Sequence, residues 1–343
     1  MDRGVVLSAP GAVALEPIVV DDPGPGEVVV RVQASGVCHS DLHVVEEDGW
    51  GHALPVLLGH EGAGTVEAIG PGVDELGIGD RVVLGWHTAC GDCERCARGL
   101  PRQCRRPPAA AGRLHRADGT PLTPVLRTGT FATRTVVPAV AAVKVPDELP
   151  LEQACLIGCA IATGVMSVLE VARVPAGARV AVIGCGAVGL SVVQGARIAG
   201  ATEIRAIDLD DRKQEQALQF GATAVGAGPV DYAFDVVGRR ATFELALSLL
   251  RGGGTAVLIG LSPAGEKAEL DLPRLFAKRV TVRTSHGGDH LPRDDFPQLA
   301  RWALEGQLDL AGMVTRRIGL NDAPRALDEL RGSTDVVRSV ILF

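Results

Sequence analysis

The chain has 343 residues, of which 46% are hydrophobic and 22% are charged, and its formal net charge is -7. Its length exceeds the size at which one hydrophobic core usually stops growing, so two domains are expected, and its negative charge disfavours nucleic acid as a partner. The opening MDRGVVLSAPGAVALEP lacks a signal-peptide pattern and no apolar run reaches the roughly 20 residues of a membrane span, so we expect a cytoplasmic protein without a membrane partner.

The predicted elements fall into three stretches along the chain. Up to about Pro150, apolar runs such as VVVRVQASGV (28–37) alternate with turn clusters such as DDPGPGE (21–27), which predicts short β-strands. The pattern then predicts helix LEQACLIGCAIATGVMSVLEVA, strand RVAVIG, helix AVGLSVVQGARIAG and strand EIRAID. Helix DRKQEQALQFG, strand VDYAFDVVG, helix ATFELALSLL and strand GTAVLIG follow, before a mixed tail. The middle stretch is therefore predicted to be a doubly wound parallel sheet.

Four cysteines lie close together in the first stretch: Cys90, Cys93, Cys96 and Cys104. Their thiolates can surround one tetrahedral Zn²⁺ ion and leave no coordination position open. We expect such a zinc to be structural, because catalysis by zinc requires an open position. Reduced cysteines without a metal are the alternative, and disulfides are disfavoured in a cytoplasmic protein.

Three separated residues are candidates for a second metal site: Cys38 in GVCHSDLH, His60 in LLGHEGAG and Cys159 in CLIGCAIATG. Two thiolates and an imidazole leave the fourth position open, and an alcohol bound there would lose its proton near neutral pH. Each residue alone is weak evidence, since an isolated cysteine is usually a small buried hydrophobe. The spacing leaves Cys155 and Cys159 as nearly equal alternatives.

A glycine-rich segment predicts dinucleotide binding. Strand RVAVIG leads into Gly184, Gly186 and Gly189 and then into an apolar helix, which is the context that this motif requires. The glycines permit a tight turn, close approach of a pyrophosphate and close packing of the helix. Asp208 ends the next strand, where its carboxylate can accept both ribose hydroxyls, and Asp210 and Asp211 add negative charge that disfavours a 2′-phosphate. NAD is expected rather than NADP; a glycine turn in another Rossmann-like domain is the alternative.

With these residues in place, the sequence resembles the zinc-containing alcohol dehydrogenases of the medium-chain dehydrogenase/reductase family over essentially its whole length. The motifs GVCHSDLH, GHEGAGTVEAIGPGV, GDRVV, the four-cysteine segment, CLIGC, GCGAVGLS, AIDLDDRK and VVRSVILF occur in the family's order. The resemblance implies an α/β protein with a GroES-like, mostly β catalytic domain over 1–160 (structural-zinc lobe 88–106) and 286–343. A Rossmann coenzyme domain would occupy 161–285.

The resemblance also implies the activity and its catalytic residues. The enzyme would transfer a hydride between an alcohol and NAD, and three residues would bind the catalytic zinc: Cys38, His60 and Cys159. Glu61 would lie behind this metal, and Asp41 would hold the His60 imidazole. Ser40 would receive the alcohol proton and pass it through the nicotinamide ribose to His43. A plain surface histidine is the alternative for His43.

Further NAD contacts are implied by the resemblance outside the three glycines. They comprise Val188 in the loop motif, Thr163 beside the nicotinamide, Lys213 beside the ribose, Arg239 near the adenine, and His39 with Arg338 at the pyrophosphate. His39 departs from the arginine that is common at its position. A neutral imidazole would bind the pyrophosphate less firmly, which predicts faster cofactor release.

The implied substrate pocket is mostly apolar and takes a small-molecule alcohol or aldehyde. Its residues would be Trp86, Val125, Leu126, Leu261, Ser285 and His286. Trp86 is bulky and should narrow the space beside the metal. Family members pair subunits at the far edge of the Rossmann sheet, which implies a homodimer here.

Other functions keep the same fold. Some relatives reduce C=C or C=N bonds after losing the alcohol relay, which Ser40 and His43 argue against. A thiol-linked formaldehyde dehydrogenase is a second alternative, because relatives in the family have this activity. A zinc-stabilised protein that binds NAD without catalysis is the non-enzymatic alternative.

Overall fold

A computed structural model describes residues 1–47, 49–332 and 336–343 of the chain. The chain forms two compact units, Met1–Cys159 with Leu291–Phe343 and Ala160–His290. Each unit has its own β-structure and its own buried apolar clusters. The candidate metal donors belong to the first unit and the glycine loop belongs to the second.

The first unit begins with mostly β-structure. Its strands up to residue 159 are β1 (Asp2–Leu7), β2 (Val13–Val20), β3 (Glu27–Val37), β4 (Val56–Leu57), β5 (Glu61–Ile69), β6 (Arg81–Leu84), β7 (Leu114–Arg116), β8 (Thr123–Pro124), β9 (Arg134–Pro138) and β10 (Ala142–Lys144). Its helices there are α1 (His39–Glu46), α2 (Glu94–Ala97) and α3 (Leu151–Ala154). Turns of 3₁₀-helix cover Pro101–Gln103, Val125–Arg127, Ala139–Ala141 and Cys155–Gly158.

The second unit alternates helices with strands, and the chain then returns to the first unit. In order, the second unit contains α4 (Ala160–Met166), a π-helical turn (Ser167–Ala172), β11 (Arg179–Ile183), α5 (Ala187–Ile198), β12 (Glu203–Ile207), α6 (Asp211–Gln219), β13 (Ala224–Val225), β14 (Val230–Asp235), α7 (Arg240–Leu249), β15 (Leu250–Leu258), α8 (Leu272–Lys278), β16 (Thr281–Thr284) and a 3₁₀ turn (Gly287–Asp289). The returning segment contains α9 (Pro292–Leu304), β17 (Val314–Gly319), a 3₁₀ turn (Leu320–Asp322), α10 (Ala323–Glu329) and β18 (Arg338–Leu342).

Two sheets build the first unit. One has five strands in the order β7-β2-β1-β4-β8, and the other has the order β10-β6-β5-β3-β18-β17, with β9 also paired to β3. Strand β3 is central to the second sheet, because it pairs antiparallel with β5, β9 and β18. Its sequence is rich in β-branched valine and most of its residues are buried, which suits a strand with neighbours on both sides.

The six strands of the second unit form one parallel sheet in the order β13-β12-β11-β14-β15-β16. This is the strand order of two mononucleotide-binding halves joined at a topological switch point. The predicted doubly wound parallel sheet is therefore confirmed. The edge strands β13 and β16 are additions that the sequence patterns did not predict, because they are short and carry little apolar periodicity.

One predicted helix is interrupted in the structure. Residues 151–172 form α3, a 3₁₀ turn, α4 and a π-helical turn, and the backbone leaves the helical region at Cys159 (φ -143°, ψ -79°). Apolar residues continue on both sides of the break, so periodicity did not reveal it. No single helix in the described ranges is long and apolar enough to span a bilayer. The segments Leu151–Gly158 and Ala160–Ala172, which are bent by 53° relative to each other, meet both criteria only as a pair.

Helix α1 is an element that the sequence patterns missed. It follows β3 immediately, and Cys38 is the residue before its first turn. The Asp41 carboxylate accepts a hydrogen bond from the Cys38 backbone N–H (3.2 Å), which satisfies an amide that would otherwise lack a partner at the helix start. This local bond fixes where the strand ends and the helix begins.

Candidate functional site

Three chain segments bring the predicted catalytic-metal donors together. Cys38 follows the end of β3 and His60 precedes β5, and these strand ends adjoin because Gly36 pairs with Glu61 in the antiparallel register. Cys159 directly follows the 3₁₀ turn Cys155–Gly158, which packs against β5. The donor atoms of Cys38, His60 and Cys159 all lie within 4.8 Å of one another, and His60 Nε2 lies 3.3 Å from Cys159 Sγ.

The Asp41 carboxylate organises this cluster. It is fully buried and accepts hydrogen bonds from the Gly59 N–H (3.0 Å) and from His60 Nδ1 (3.0 Å), besides that from Cys38. Burial alone would lower the pKa of His60, but the charge of Asp41 and its hydrogen bond raise that pKa well above its usual value. Because Nδ1 donates to Asp41, Nε2 is directed to the metal position.

The two thiols of the cluster share their protonation. The Cys159 thiol donates to Cys38, which lowers the pKa of Cys38 well below its usual value and, with burial, raises that of Cys159. A cation placed between such sulfurs replaces the shared proton and favours two thiolates. Two thiolates and an imidazole with mutually close donor atoms fit Zn²⁺ in its three-ligand catalytic form.

The structure distinguishes the two cysteines that the sequence left open. Cys155 lies outside the donor cluster, and its Sγ lies 3.4 Å from the Glu152 carbonyl oxygen, to which it donates. Burial, and then the charge of Glu61, raises the pKa of the Cys155 thiol well above its usual value. Because only Cys159 has its sulfur in the cluster with Cys38 and His60, Cys159 is the candidate ligand.

Glu61 and Arg338 form a buried ion pair behind the cluster. The Arg338 Nε lies 3.3 Å from Glu61 Oε2, and its Nη1 donates to the Val37 carbonyl (2.8 Å). Although burial opposes the charge of Arg338, Glu61 and Cys38 raise the pKa of this guanidinium. A Cβ at Gly36 would lie 1.9 Å from Glu61 Oε2, so only glycine leaves room for this carboxylate. The predicted pyrophosphate role of Arg338 stays a prediction.

The predicted relay residues lie on α1. Ser40 Oγ is 3.8 Å from Cys38 Sγ, so a hydroxyl stands directly beside the metal donors. His43 is one helical turn further along the same face and is half-buried; its ring stacks on Trp50 with centroids 6.1 Å apart. Its Nδ1 lies 3.5 Å from a carboxylate oxygen of Glu47. His39, the first residue of the helix, is exposed.

The four clustered cysteines form a second group of donors. The sulfurs of Cys90, Cys93, Cys96 and Cys104 lie within 4.8 Å of one another around α2. Backbone amides, first that of Cys96, lower the pKa of Cys93 to about 6, which favours its thiolate. Four sulfurs at these distances fit tetrahedral Zn²⁺ and leave no position for a substrate.

The glycine loop and Asp208 form the candidate nucleotide site. Gly184 has φ +97°, and a Cβ on Gly189 would lie 1.8 Å from the Gly184 oxygen, so turn and helix packing both require glycine. At Gly186, a Cβ would meet no protein atom within 4 Å, so this glycine leaves open space that suits a pyrophosphate. The Asp208 carboxylate accepts from the Cys185 N–H (2.7 Å) and the Asp210 N–H (3.0 Å), which hold it beside the loop.

The other predicted cofactor residues are distributed over the second unit. Val188 is half-buried on α5, Lys213 is half-buried on α6, Arg239 is exposed just before α7, and Thr163 is buried on α4 with its carbonyl accepting from Ser167 Oγ (2.5 Å). The cofactor contacts of these four residues remain predictions.

The predicted substrate residues are divided between the units. Trp86 and Val125 are buried and Leu126 is half-buried in the first unit, whereas Leu261 and His286 are exposed in the second. Ser285 is buried, and its hydroxyl bonds to Ser167 Oγ (2.7 Å) and accepts from the Gly288 N–H (3.1 Å). Arg127, next to Leu126, was not predicted from the sequence because it belongs to no motif. Its side chain donates a hydrogen bond to the carbonyl of Trp86, a predicted substrate residue.

The chain is similar to known proteins over nearly its whole length. Residues 24–147 match the family described as alcohol dehydrogenase GroES-like domain, and residues 187–305 match zinc-binding dehydrogenase. An S-(hydroxymethyl)glutathione dehydrogenase of Paracoccus denitrificans is 32% identical over 99% of this chain and 98% of its own. An alcohol dehydrogenase zinc-binding domain protein of Burkholderia ambifaria has a TM-score of 0.93 at 34% identity, covering 100% of this chain and 98% of its own. Benzyl alcohol dehydrogenase of Acinetobacter calcoaceticus has a TM-score of 0.91 at 28% identity, covering 100% and 99%.

The two neighbouring cysteines give a matched test of the catalytic-metal ligands. We expect Cys159→Ser to reduce zinc at this site to on the order of a tenth of wild-type occupancy after dialysis against a weak chelator, because one thiolate is lost. Cys155→Ser should keep the full zinc content, since Cys155 lies outside the donor cluster. Elemental analysis of both purified variants measures this; equal zinc loss in the two would contradict the assignment.

The four lobe cysteines should stabilise the folded protein through the metal that they bind. Cys96→Ser leaves three thiolates around the lobe metal, so we expect the Tm to fall by at least about 5 °C, with zinc release on heating. Arg98→Ser, a change at an exposed residue just after α2, is the control and should leave the Tm unchanged. Calorimetry with a zinc-sensitive dye follows both; an unaltered Tm in Cys96→Ser would argue against a structural metal.

Proposed function

Because the chain belongs to the zinc-containing alcohol dehydrogenases of the medium-chain dehydrogenase/reductase family, it is a zinc- and NAD-dependent oxidoreductase of alcohols and aldehydes, and we propose that Cys38, His60 and Cys159 hold its catalytic zinc. The observation that carries this proposal is the cluster of these three donors with the Ser40 hydroxyl beside it. Alcohol dehydrogenases are themselves the standard example of a catalytic zinc with two cysteines and one histidine.

The protein side chains around the metal have distinct roles in this proposal. When bound, zinc supplies Lewis acidity that makes an alcohol easier to deprotonate, and NAD supplies the hydride acceptor. Asp41 accepts a hydrogen bond from His60 Nδ1, which leaves the Nε2 lone pair available to bind the metal. Glu61 and Arg338 hold a buried charge pair behind the thiolates, which keeps that side of the site closed to water.

Ser40 and His43 move the proton in this proposal. The Ser40 hydroxyl can accept a proton from a substrate oxygen while donating its own, and it is the hydroxyl beside the donor cluster. His43 lies half-exposed on the same helix, where it can exchange a proton with solvent. The supporting observation is their shared helix face, which directs both side chains along one path from the metal donors to water.

The cofactor residues that we propose are those of the glycine loop together with Asp208. Gly184, Gly186 and Gly189 would bind the pyrophosphate through backbone N–H groups, and Asp208 would accept the ribose hydroxyls. The carboxylate is already positioned by two backbone amides, so little ordering is needed on binding. Thr163, Val188, Lys213, Arg239, His39 and Arg338 remain proposed contacts by family resemblance.

The substrate proposal is a small-molecule alcohol or aldehyde. Trp86, Val125 and Leu126 in the first unit, with Leu261, Ser285 and His286 in the second, are the proposed lining residues. A thiol adduct of formaldehyde is a second candidate, since the Paracoccus relative bears the name S-(hydroxymethyl)glutathione dehydrogenase. Reduction of C=C or C=N bonds is disfavoured because relatives with that activity have lost the alcohol relay, whereas Ser40 and His43 are present here.

We also propose a cytoplasmic homodimer. All eight cysteines are free, which suits a reducing compartment. Strand β16 is an edge of the parallel sheet and all four of its residues are exposed, and on the preceding helix α8 the side chain of Phe276 is 88% exposed. An open strand edge beside exposed apolar residues is typical of a surface that pairs with another chain.

The two edges of this sheet give a matched test of dimerisation. Val282 on β16 and Val225 on β13 are exposed to similar extents, 46% and 47%. We expect Val282→Glu to yield monomers, because like charges would face each other across the paired edges, whereas Val225→Glu should remain dimeric. Sedimentation velocity measures both. A monomeric wild-type protein, or equal effects of the two changes, would refute the proposed interface.

Measurements of kcat should show a larger effect of substituting Ser40 than of substituting His43. Following NADH at 340 nm with a panel of primary alcohols, we expect Ser40→Ala to lower kcat by at least about a hundredfold while zinc content and NAD affinity stay unchanged. His43→Gln should lower kcat by about tenfold, shift the pH profile and regain activity with imidazole buffer, because water can replace a solvent-side base. If both variants kept full alcohol oxidation, the relay would be wrong and the reductase alternative would be favoured.

A further inference from the structure

The turn that carries the proposed pocket residue Leu126 also carries an arginine. Leu126 (φ 46°) and Arg127 (φ 67°) both adopt left-handed backbone conformations within the 3₁₀ turn Val125–Arg127. Non-glycine residues rarely adopt this conformation, and two in succession persist only where the surrounding structure imposes them. Such turns are concentrated at ligand sites, where they hold a side chain in a position that a relaxed backbone would not give it.

This turn is fixed against the segment that leads into a proposed metal ligand. The Thr130 N–H donates to the Gly59 carbonyl (2.8 Å), and Thr128 Oγ1 lies 3.5 Å from the same oxygen. Gly59 directly precedes His60, so these bonds fasten the turn beside the metal donors. The chain on either side of Arg127 is therefore connected both to the residue before a proposed metal ligand and, through its side chain, to the proposed pocket residue Trp86.

The guanidinium of Arg127 is incompletely satisfied. Its Nη2 donates to the Trp86 carbonyl (3.2 Å), while its Nε is buried and has no hydrogen-bond partner in the described part of the chain. Burial lowers the pKa of Arg127. The pKa of His52 is lowered chiefly by its own burial and further by the positive charge of Arg127. A partly buried cation without a carboxylate partner among the described residues favours the binding of an anion.

We propose that Arg127 binds an anionic oxygen group, a carboxylate or a phosphate, carried by the alcohol substrate. This inference rests on the proposed function and adds the substrate class to it. A guanidinium presents its N–H donors in a fork that matches both kinds of anion, and an arriving anion would satisfy the Nε donor and neutralise the buried charge. The preferred substrate is therefore a hydroxy acid or hydroxyalkyl phosphate rather than a simple alkanol.

A structural role in the cysteine lobe is the competing explanation. The charge of Cys104 favours the protonated guanidinium of Arg127, so this arginine could balance the four lobe thiolates. That role predicts loss of lobe zinc and of stability when the charge is removed, whatever the charge of the substrate. The two explanations therefore differ in whether the effect depends on the substrate.

The test compares ω-hydroxy acids from 4-hydroxybutanoate to 8-hydroxyoctanoate with 1-alkanols of equal length. We expect the wild-type enzyme to prefer the acid at one length, which reports the span between the metal and the guanidinium. Arg127→Met should then lower kcat/KM for that acid by about 10- to 100-fold, mainly through KM, and change the matched alkanol by less than about threefold. Arg127→Lys keeps the charge without the fork and should be intermediate.

Two controls accompany these variants. Arg98→Met removes an equal charge from the exposed surface of the lobe and should leave the acid-to-alkanol ratio unchanged. Zinc content and Tm of Arg127→Met report the competing lobe role. A parallel arm with 6-hydroxyhexyl phosphate and 6-hydroxyhexanoate distinguishes the two anions by which of them loses more kcat/KM.

Calorimetry on the zinc-loaded enzyme without NAD keeps the proposal testable even if no alcohol is oxidised. We expect 6-hydroxyhexanoate to bind more tightly than 1-hexanol to the wild type, and this preference to disappear in Arg127→Met. Absence of NADH formation with every alcohol would refute the proposed function but leave this binding difference intact. Equal binding of acid and alkanol by the wild type, or an equal loss of both in the variant, would overturn the proposal for Arg127.

Discussion

The hydrogen bonds of the buried Asp41 carboxylate are the interactions on which the proposed catalytic centre depends. This carboxylate accepts hydrogen bonds from the Cys38 and Gly59 backbone amides and from the His60 ring. A buried carboxylate is strongly disfavoured without donors, so strand β3, the approach to β5 and the start of α1 must all be in place to satisfy it. The same bonds orient two of the three metal donors. Local folding and metal geometry are thus set by one side chain.

Charge balance at this centre follows from the same burial. Asp41, Glu61 and two thiolates bring negative charge into a region from which water is excluded, and Arg338 returns one positive charge. A divalent cation bound to the two thiolates would offset much of the remainder. The protein therefore folds around a site that favours a metal ion electrostatically before any substrate is present.

The sequence predicted those parts of the fold that depend on local pattern. Buried parallel strands are continuous apolar runs, and the glycine loop joins one such strand to one helix, so the parallel sheet of the second unit and the position of its glycine loop could be predicted. The choice of Cys159 over Cys155 depends on a break inside an apolar stretch, and helix α1 depends on a hydrogen bond between Asp41 and Cys38. Arg127 acquires its significance only from neighbours distant in sequence, which no pattern encodes.

Strand β18 has a consequence for how the enzyme is made. Arg338 bonds to Val37 across 301 positions of the chain, and β18 completes the sheet at the strand that ends beside Cys38. While the ribosome is still translating the intervening residues, that strand edge stays open, whereas the second unit is contiguous and can fold as it emerges. The sheet at the edge beside Cys38 is therefore completed only when the last strand is available, so the contiguous second unit can fold before the discontinuous unit that brackets it in the sequence.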